Sequence, residues 1–308
     1  MLNGVLFLIG LLVFLIGLYI LKAGLDSAGS RNIKRIICHF TGTAFKGCMT
    51  GTILTMLLQS SSAVTVITIG LVDTGLMSFH QAVGIILGTN IGTTLTGQIM
   101  AFNLEKMGFP LLFISLFFLA FPQRWRTFGL IINGLAFIFI GMNYMSTAFL
   151  FIQKNPLFYQ LLLLTNNNRL IAVIAGIVFT ALIQSSSAMT GIVLVLAKNG
   201  QLNLVTATAV ILGSNVGTCF TAILASIHST TGGKKVAASH VVLNILGVLI
   251  FYPFLTEFTT LMSFTSSNLP RQIAHTHTVF NIVSSLVVLP FTGLFAKFIS
   301  WFIPGKNE

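Results

Sequence analysis

Gln59-Ser60-Ser61-Ser62-Ala63 recurs unchanged as Gln184-Ser185-Ser186-Ser187-Ala188. Gly88-Thr89-Asn90-Ile91-Gly92-Thr93 is echoed by Gly213-Ser214-Asn215-Val216-Gly217-Thr218 at the same offset of 125. Laid together without a gap, residues 51–100 and 176–225 agree at 20 of 50 positions. The identities include Gln, Ser and Asn, which an apolar background does not supply. The chain is an internal duplication whose best-kept part is polar, a pattern that predicts a site built twice around a pseudo-symmetry axis.

With 55% hydrophobic and 7% charged residues and a mean hydropathy of +0.96, the composition is that of an integral membrane protein. Long continuous apolar runs replace the alternation that a transmembrane barrel needs. They lie near residues 4–22, 44–72, 80–102, 107–121, 127–146, 170–198, 203–227, 236–255 and 275–303. The first lacks a basic leading region and reads as a retained helix. The net charge of +11 points to cytoplasmic loops and away from nucleic acid. Its basic groups are Arg31, Lys34 and Arg35, then Arg124 and Arg126, then Lys234 and Lys235. Cys38, Cys48 and Cys219 are odd in number and lack metal-ligand spacing, which indicates neither a disulfide framework nor zinc.

Stretches 44–72 and 170–198 each carry Gln-Ser-Ser-Ser at their midpoint. Four polar side chains in a row are costly on a lipid-facing helix, and broken backbone at that depth needs protein or a wet cavity around it. A re-entrant helical hairpin tipped by each block places loops 122–126 and 228–236 in the cytoplasm. A single crossing would put Arg124 and Arg126 outside, against the positive-inside rule. Three crossings (80–102, 107–121, 127–146) then separate the hairpins, so the second enters from the opposite face. The expected fold is an all-α polytopic membrane protein of two inverted-topology repeats. It forms a single transport domain over 1–308. Residues 1–42 supply an N-terminal helix and cytoplasmic linker, 43–146 the first repeat, 147–169 a linker, and 170–308 the second repeat with C-terminal helices.

A helix restarting at Gln-Ser-Ser-Ser presents unpaired N–H groups, hydroxyls and a positive dipole end, which together suit an anion. Two such tips meeting near the bilayer centre could hold a tetrahedral oxyanion. The Gly-x-Asn-x-Gly-Thr segments suit the opposite charge. Glycines allow a partly unwound helix whose freed carbonyls, with Asn and Thr oxygens, fit a hard cation such as Na⁺. Asp73 aligns with Lys198 and reads as a cap or solvated group at a hairpin end. Gly10, Gly17 and Gly24 form a helix-packing stripe. His240-x-x-x-Asn244 and His277-x-x-x-Asn281 each place two polar groups on one helical face.

With these motifs the chain resembles the sodium-dependent phosphate cotransporter family, the type II Na⁺/Pi group and its bacterial relatives. Thr221-Ala222-Ile223-Leu224-Ala225 and His240-x-x-Leu243-Asn244 extend the likeness. The resemblance implies symport of inorganic phosphate with Na⁺ as coupling ion, no other cofactor, and a multi-pass protein of the cell membrane. By similarity, Gln59, Ser60, Ser61, Ser62, Gln184, Ser185, Ser186 and Ser187 line the phosphate site. Asn90, Thr93, Asn215 and Thr218 neighbour the sodium sites. The long Cys-containing loop of animal members and the PhoU-like extension of some bacterial members are missing, so the sequence reads as a minimal bacterial-type core. Cys219 replaces the hydroxyl of Thr94.

Other readings stay open on the residues alone. The same carrier could move sulfate or a carboxylate, or export phosphate. An anion channel would conduct without Na⁺. An intramembrane serine hydrolase would need one activated serine held against a base. A duplicated triplet without a Gly-x-Ser-x-Gly elbow argues for a transport protein and against an enzyme.

Overall fold

The computed structural model describes residues 2–29, 41–102, 104–152 and 156–304. Regular structure among them is helical throughout. In chain order the first elements are α1 (Leu2–Gly29), α2 (Ala44–Leu58), α3 (Ser61–Asp73), α4 (Phe79–Met100), α5 (Gly108–Leu119) and α6 (Gln123–Ile152). After α7 (Pro156–Asn167) come α8 (Arg169–Ile183), α9 (Ser186–Lys198), α10 (Leu204–Ser226) and α11 (Thr231–Phe251). The chain closes with α12 (Leu255–Ser263), α13 (Leu269–Val288) and α14 (Thr292–Phe302). The expected linker 147–169 is therefore largely helical, and Arg31, Lys34, Arg35 and Cys38 lie outside the described residues.

Among the described residues, five segments are long and apolar enough to cross a bilayer: Val5–Leu25, Trp125–Ala148, Leu204–Ser226, Thr231–Phe251 and Leu269–Phe302. The two stretches bearing Gln-Ser-Ser-Ser are different. Each is split into helices of 15 and 13 residues. At 1.5 Å per residue these are about 20 Å long, short of a ~30 Å hydrocarbon core.

The duplication seen in sequence is carried into the backbone. Shifting α2 and α3 by 125 residues reproduces the bounds of α8 and α9. Positive φ occurs among the described residues at two such pairs: Gln59 (50°) with Gln184 (56°), and Gly75 (72°) with Gly200 (73°). The glycines make the tight turns that return α3 into α4 and α9 into α10.

Glycine contacts reveal how the arms lie. A Cβ on Gly47 would meet Gly84, and one on Gly92 would meet Thr52 and Thr55. Numbers rise together along both helices, so α2 and α4 run parallel and in contact. The short turn joining α3 to α4 then requires α3 to bring the chain back along them. Gly213 against Val173 and Gly217 against Thr180 repeat this arrangement for α8 and α10.

These same glycines overturn one expectation. Residues 88–93 and 213–218 lie within uninterrupted helices α4 and α10, not in unwound segments. Gly88 approaches the Cys48 carbonyl, and Gly213 that of Val173, more closely than any Cβ would permit. Close helix packing uses up the freedom that unwinding would have needed. The N-terminal stripe behaves as expected: Gly10, Gly17 and Gly24 abut Gly141, Gly134 and Ile131 of the antiparallel helix α6.

Candidate functional site

Each hairpin arm ends at a glutamine in the left-handed region, where L side chains crowd their own backbone. The next serine then starts a new helix. Ser60 Oγ accepts from the Ala63 amide (3.1 Å), and Ser185 Oγ accepts from that of Ala188 (3.2 Å). The first backbone bonds of the new helices are Val64 N to Ser60 O and Met189 N to Ser185 O. Those caps leave the amides of Ser61, Ser62, Ser186 and Ser187 ahead of any intrahelical partner. Each tip therefore joins a carbonyl-rich C-terminus to an amide-rich N-terminus.

The two tips face one cavity of about 40 Å³. All eight residues of the Gln-Ser-Ser-Ser blocks line it, with Thr93, Thr96 and Thr218. The volume holds about three water-sized groups, at ~10–15 Å³ each. Ser61 and Ser186 are buried beside it at 6% and 5% exposure. Among the described residues no charged side chain lines the cavity; its lining is amide and hydroxyl. The tips are brought together because α3 packs on α10 of the other repeat and α9 on α4. A hydrogen bond between Ser62 Oγ and Thr221 Oγ1 (3.1 Å) ties the first tip to α10 directly.

Of the four residues expected near a cation, two reach the cavity. Thr93 and Thr218 line it, each donating its hydroxyl proton backwards to Thr89 O and Ser214 O at 2.9 Å. Their lone pairs stay available. Asn90 and Asn215 point elsewhere. Asn90 Nδ2 donates to Asn244 Oδ1 (3.1 Å), and Asn215 Nδ2 donates to Ile211 O (2.9 Å). Asn90 is turned toward α11 and Asn215 toward its own backbone. Cys219 lies in the same buried region, its thiol donating to the His240 carbonyl at 3.4 Å.

Sequence reasoning overlooked Thr96. It lines the cavity and donates to Gln59 Oε1, while Gln59 Nε2 donates to Met56 O (2.6 Å), so the strained glutamine is held at both ends of its amide. The signal was present: Thr96 lies one turn beyond Thr93 and is matched by Thr221 at the offset of 125. Thr55 and Thr180, another matched pair, were also overlooked. Their hydroxyls are buried without a protein partner one turn before Gln59 and Gln184. His277 is buried with both ring nitrogens unpartnered, and Asn281 Oδ1 one turn away is likewise unpartnered. Neither histidine lines the cavity. Asp73 acts as a cap between elements, accepting from Thr230 Oγ1 (2.6 Å) and Thr230 N (3.2 Å) at the start of α11.

Fold and cavity define a multi-pass helical membrane protein with a small, uncharged polar site between duplicated elements. The sequence profile described as Na⁺/Pi-cotransporter matches residues 13–147 and 154–286. The chain belongs to this family of phosphate transporters. It is 36% identical over 297 residues to "Uncharacterized protein YqeW" of Bacillus subtilis, covering 96% of this chain and 97% of that protein. It is 27% identical over 241 residues to "Putative inorganic phosphate export protein YjbB" of Escherichia coli K12, covering 77% of this chain and 44% of that protein. The chain thus spans less than half of YjbB. Over 86 residues it is 36% identical to "Sodium-dependent phosphate transport protein 2A" of Oryctolagus cuniculus, 27% of this chain and 13% of that protein. No solved structure matches.

Proposed function

We propose that this protein carries inorganic phosphate across the cell membrane together with Na⁺, by alternating access of two inverted repeats around the central cavity. In this reading α2–α3 and α8–α9 are re-entrant hairpins entering from opposite faces, within one transport domain over 1–308. The convergence of both Gln-Ser-Ser-Ser blocks on a single cavity carries the proposal.

Phosphate oxygens take the serine hydroxyls, the glutamine amides and the open amides at the starts of α3 and α9. Charge accounting then calls for a cation. Each helix N-terminus offers roughly +0.5 charge, which the adjoining C-terminus of α2 or α8 opposes by a similar amount, against a phosphate of −1 to −2. With no cationic side chain lining the cavity among the described residues, co-bound Na⁺ supplies the balance. Its oxygen ligands are drawn from Thr93, Thr218, the orphaned Thr55 and Thr180 hydroxyls, and the carbonyl ends of α2 and α8. Asn90 ties α4 to α11, and Asn215 bonds back to its own helix.

Proteoliposomes test this directly. Phosphate uptake should follow an imposed Na⁺ gradient, not a K⁺ gradient, and fall in Ser61→Ala and Ser186→Ala. Sulfate uptake instead would keep the architecture and change the substrate, whereas indifference to Na⁺ would remove the symport reading. The relatives named for phosphate export favour a second reading, in which the same cavity discharges phosphate from the cell. Efflux from phosphate-loaded vesicles of known orientation separates the two.

A further inference from the structure

A second cavity, of about 760 Å³, opens where the base of the first hairpin meets α11 and α14. That volume falls in the ~300–1,000 Å³ range of small-ligand pockets. Among the described residues the ionisable groups lining it are Lys235, Lys297 and His80, with no acid. Lys235 is buried at 4% exposure, its Nζ 6.0 Å from the centre of the Phe79 ring. Lys297 and His80 are exposed at the rim. Asp73, next to Val72 on α3, accepts from Thr230 at the start of α11.

The start of α4, after its Ser78 capping box, adds to this positive charge. The start of α11 also borders the cavity, but the Asp73 carboxylate already caps it through Thr230. The setting is interfacial. α14 turns Phe295, Ala296 and Ile299 inward and leaves Leu294, Phe298, Trp301 and Phe302 exposed. At 20 residues α13 is by itself long enough to cross a bilayer, which leaves α14, with such an aromatic face, for the boundary between headgroups and acyl chains. On that placement Lys297 lies at the depth of lipid phosphates.

We propose that this cavity is a second anion site, separate from the central one, which takes a phosphate-bearing group at the membrane face. Lys235 and Lys297 supply the charge, and the first turn of α4, at Phe79 and His80, supplies amide donors. A phosphomonoester headgroup and free inorganic phosphate share this chemistry. A basic recess between membrane helices at headgroup depth is suited to either.

Two measurements on the full chain separate the sources. In phosphatidylcholine nanodiscs, radiolabelled inorganic phosphate should show a second class of sites. That class should survive Ser61→Ala/Ser186→Ala and weaken roughly tenfold in Lys297→Glu, the scale of one charged contact. In bilayers doped with phosphatidic acid, native mass spectrometry after detergent extraction should find the lipid retained by wild type and released by Lys297→Glu. The first result alone identifies free phosphate and the second alone a headgroup; either supports the site. Lys297→Gln should lie between wild type and Glu in whichever assay responds. If wild type and Lys297→Glu match in both assays, the proposal is overturned, whatever becomes of the central site.

Discussion

Gln59 and Gln184 hold a conformation that costs an L-residue about 1–2 kcal/mol, and they are the non-glycine positions with positive φ among the described residues. Strain kept at two matched positions, both lining the cavity, supports the proposal that those side chains meet the ligand. Gln184→Gly should leave folded stability within about 1 kcal/mol, because relief of strain opposes the added chain entropy of glycine. Phosphate binding should nevertheless drop by roughly tenfold or more, as for a lost polar contact to a charged group. Thermal unfolding beside equilibrium phosphate binding checks both halves, and unchanged binding would separate Gln184 from the ligand. Thr96→Val should loosen Gln59 and weaken phosphate binding while Thr221→Val instead frees the Ser62 hydroxyl. Comparing the phosphate affinity of the two variants tests whether the first tip is held by its own repeat, by the other, or by both.

At the scale of elements, the glycines of α4 and α10 decide how close the hairpin arms come. A Cβ at Gly88 or Gly213 would collide with backbone carbonyls of the facing helix. Gly88→Ala and Gly213→Ala should each cost about 1–3 kcal/mol from overpacking, and the loss should register as a lower melting temperature and yield. Gly42→Ala, where no atom lies within 4 Å of the added carbon, is the control that should be silent. These positions also mark what the sequence left ambiguous. Gly-x-Asn-x-Gly-Thr fits an unwound ligand segment and a tightly packed helix equally well, since both need a missing Cβ. Which one applies depends on a neighbouring backbone that no local pattern specifies. The Gln-Ser-Ser-Ser break was legible for the opposite reason: four polar residues at the centre of an apolar stretch leave a lipid-facing helix few alternatives.

Across the whole molecule, phosphate and Na⁺ should bind with positive and reciprocal coupling. The factor by which saturating Na⁺ raises phosphate affinity must equal the factor by which phosphate raises Na⁺ affinity. A coupling of about 1–3 kcal/mol, or roughly 5–150-fold, is the expected scale. Calorimetric titration of each ligand with and without the other measures it, and equal phosphate affinity in Na⁺ and K⁺ would rule it out.

Membrane residence, the duplication, the break in each apolar stretch and the identity of the eight tip residues are written in the sequence. They follow from transfer energies and from matched positions, both of which act locally along the chain. The meeting of the two tips, the recruitment of Thr96, the turning of Asn90 and Asn215 away from the cavity, and the basic recess beside α14 were decided by tertiary structure. Each depends on which faces of distant helices come into contact, and helix packing sets those faces through shape complementarity between residues far apart in the chain.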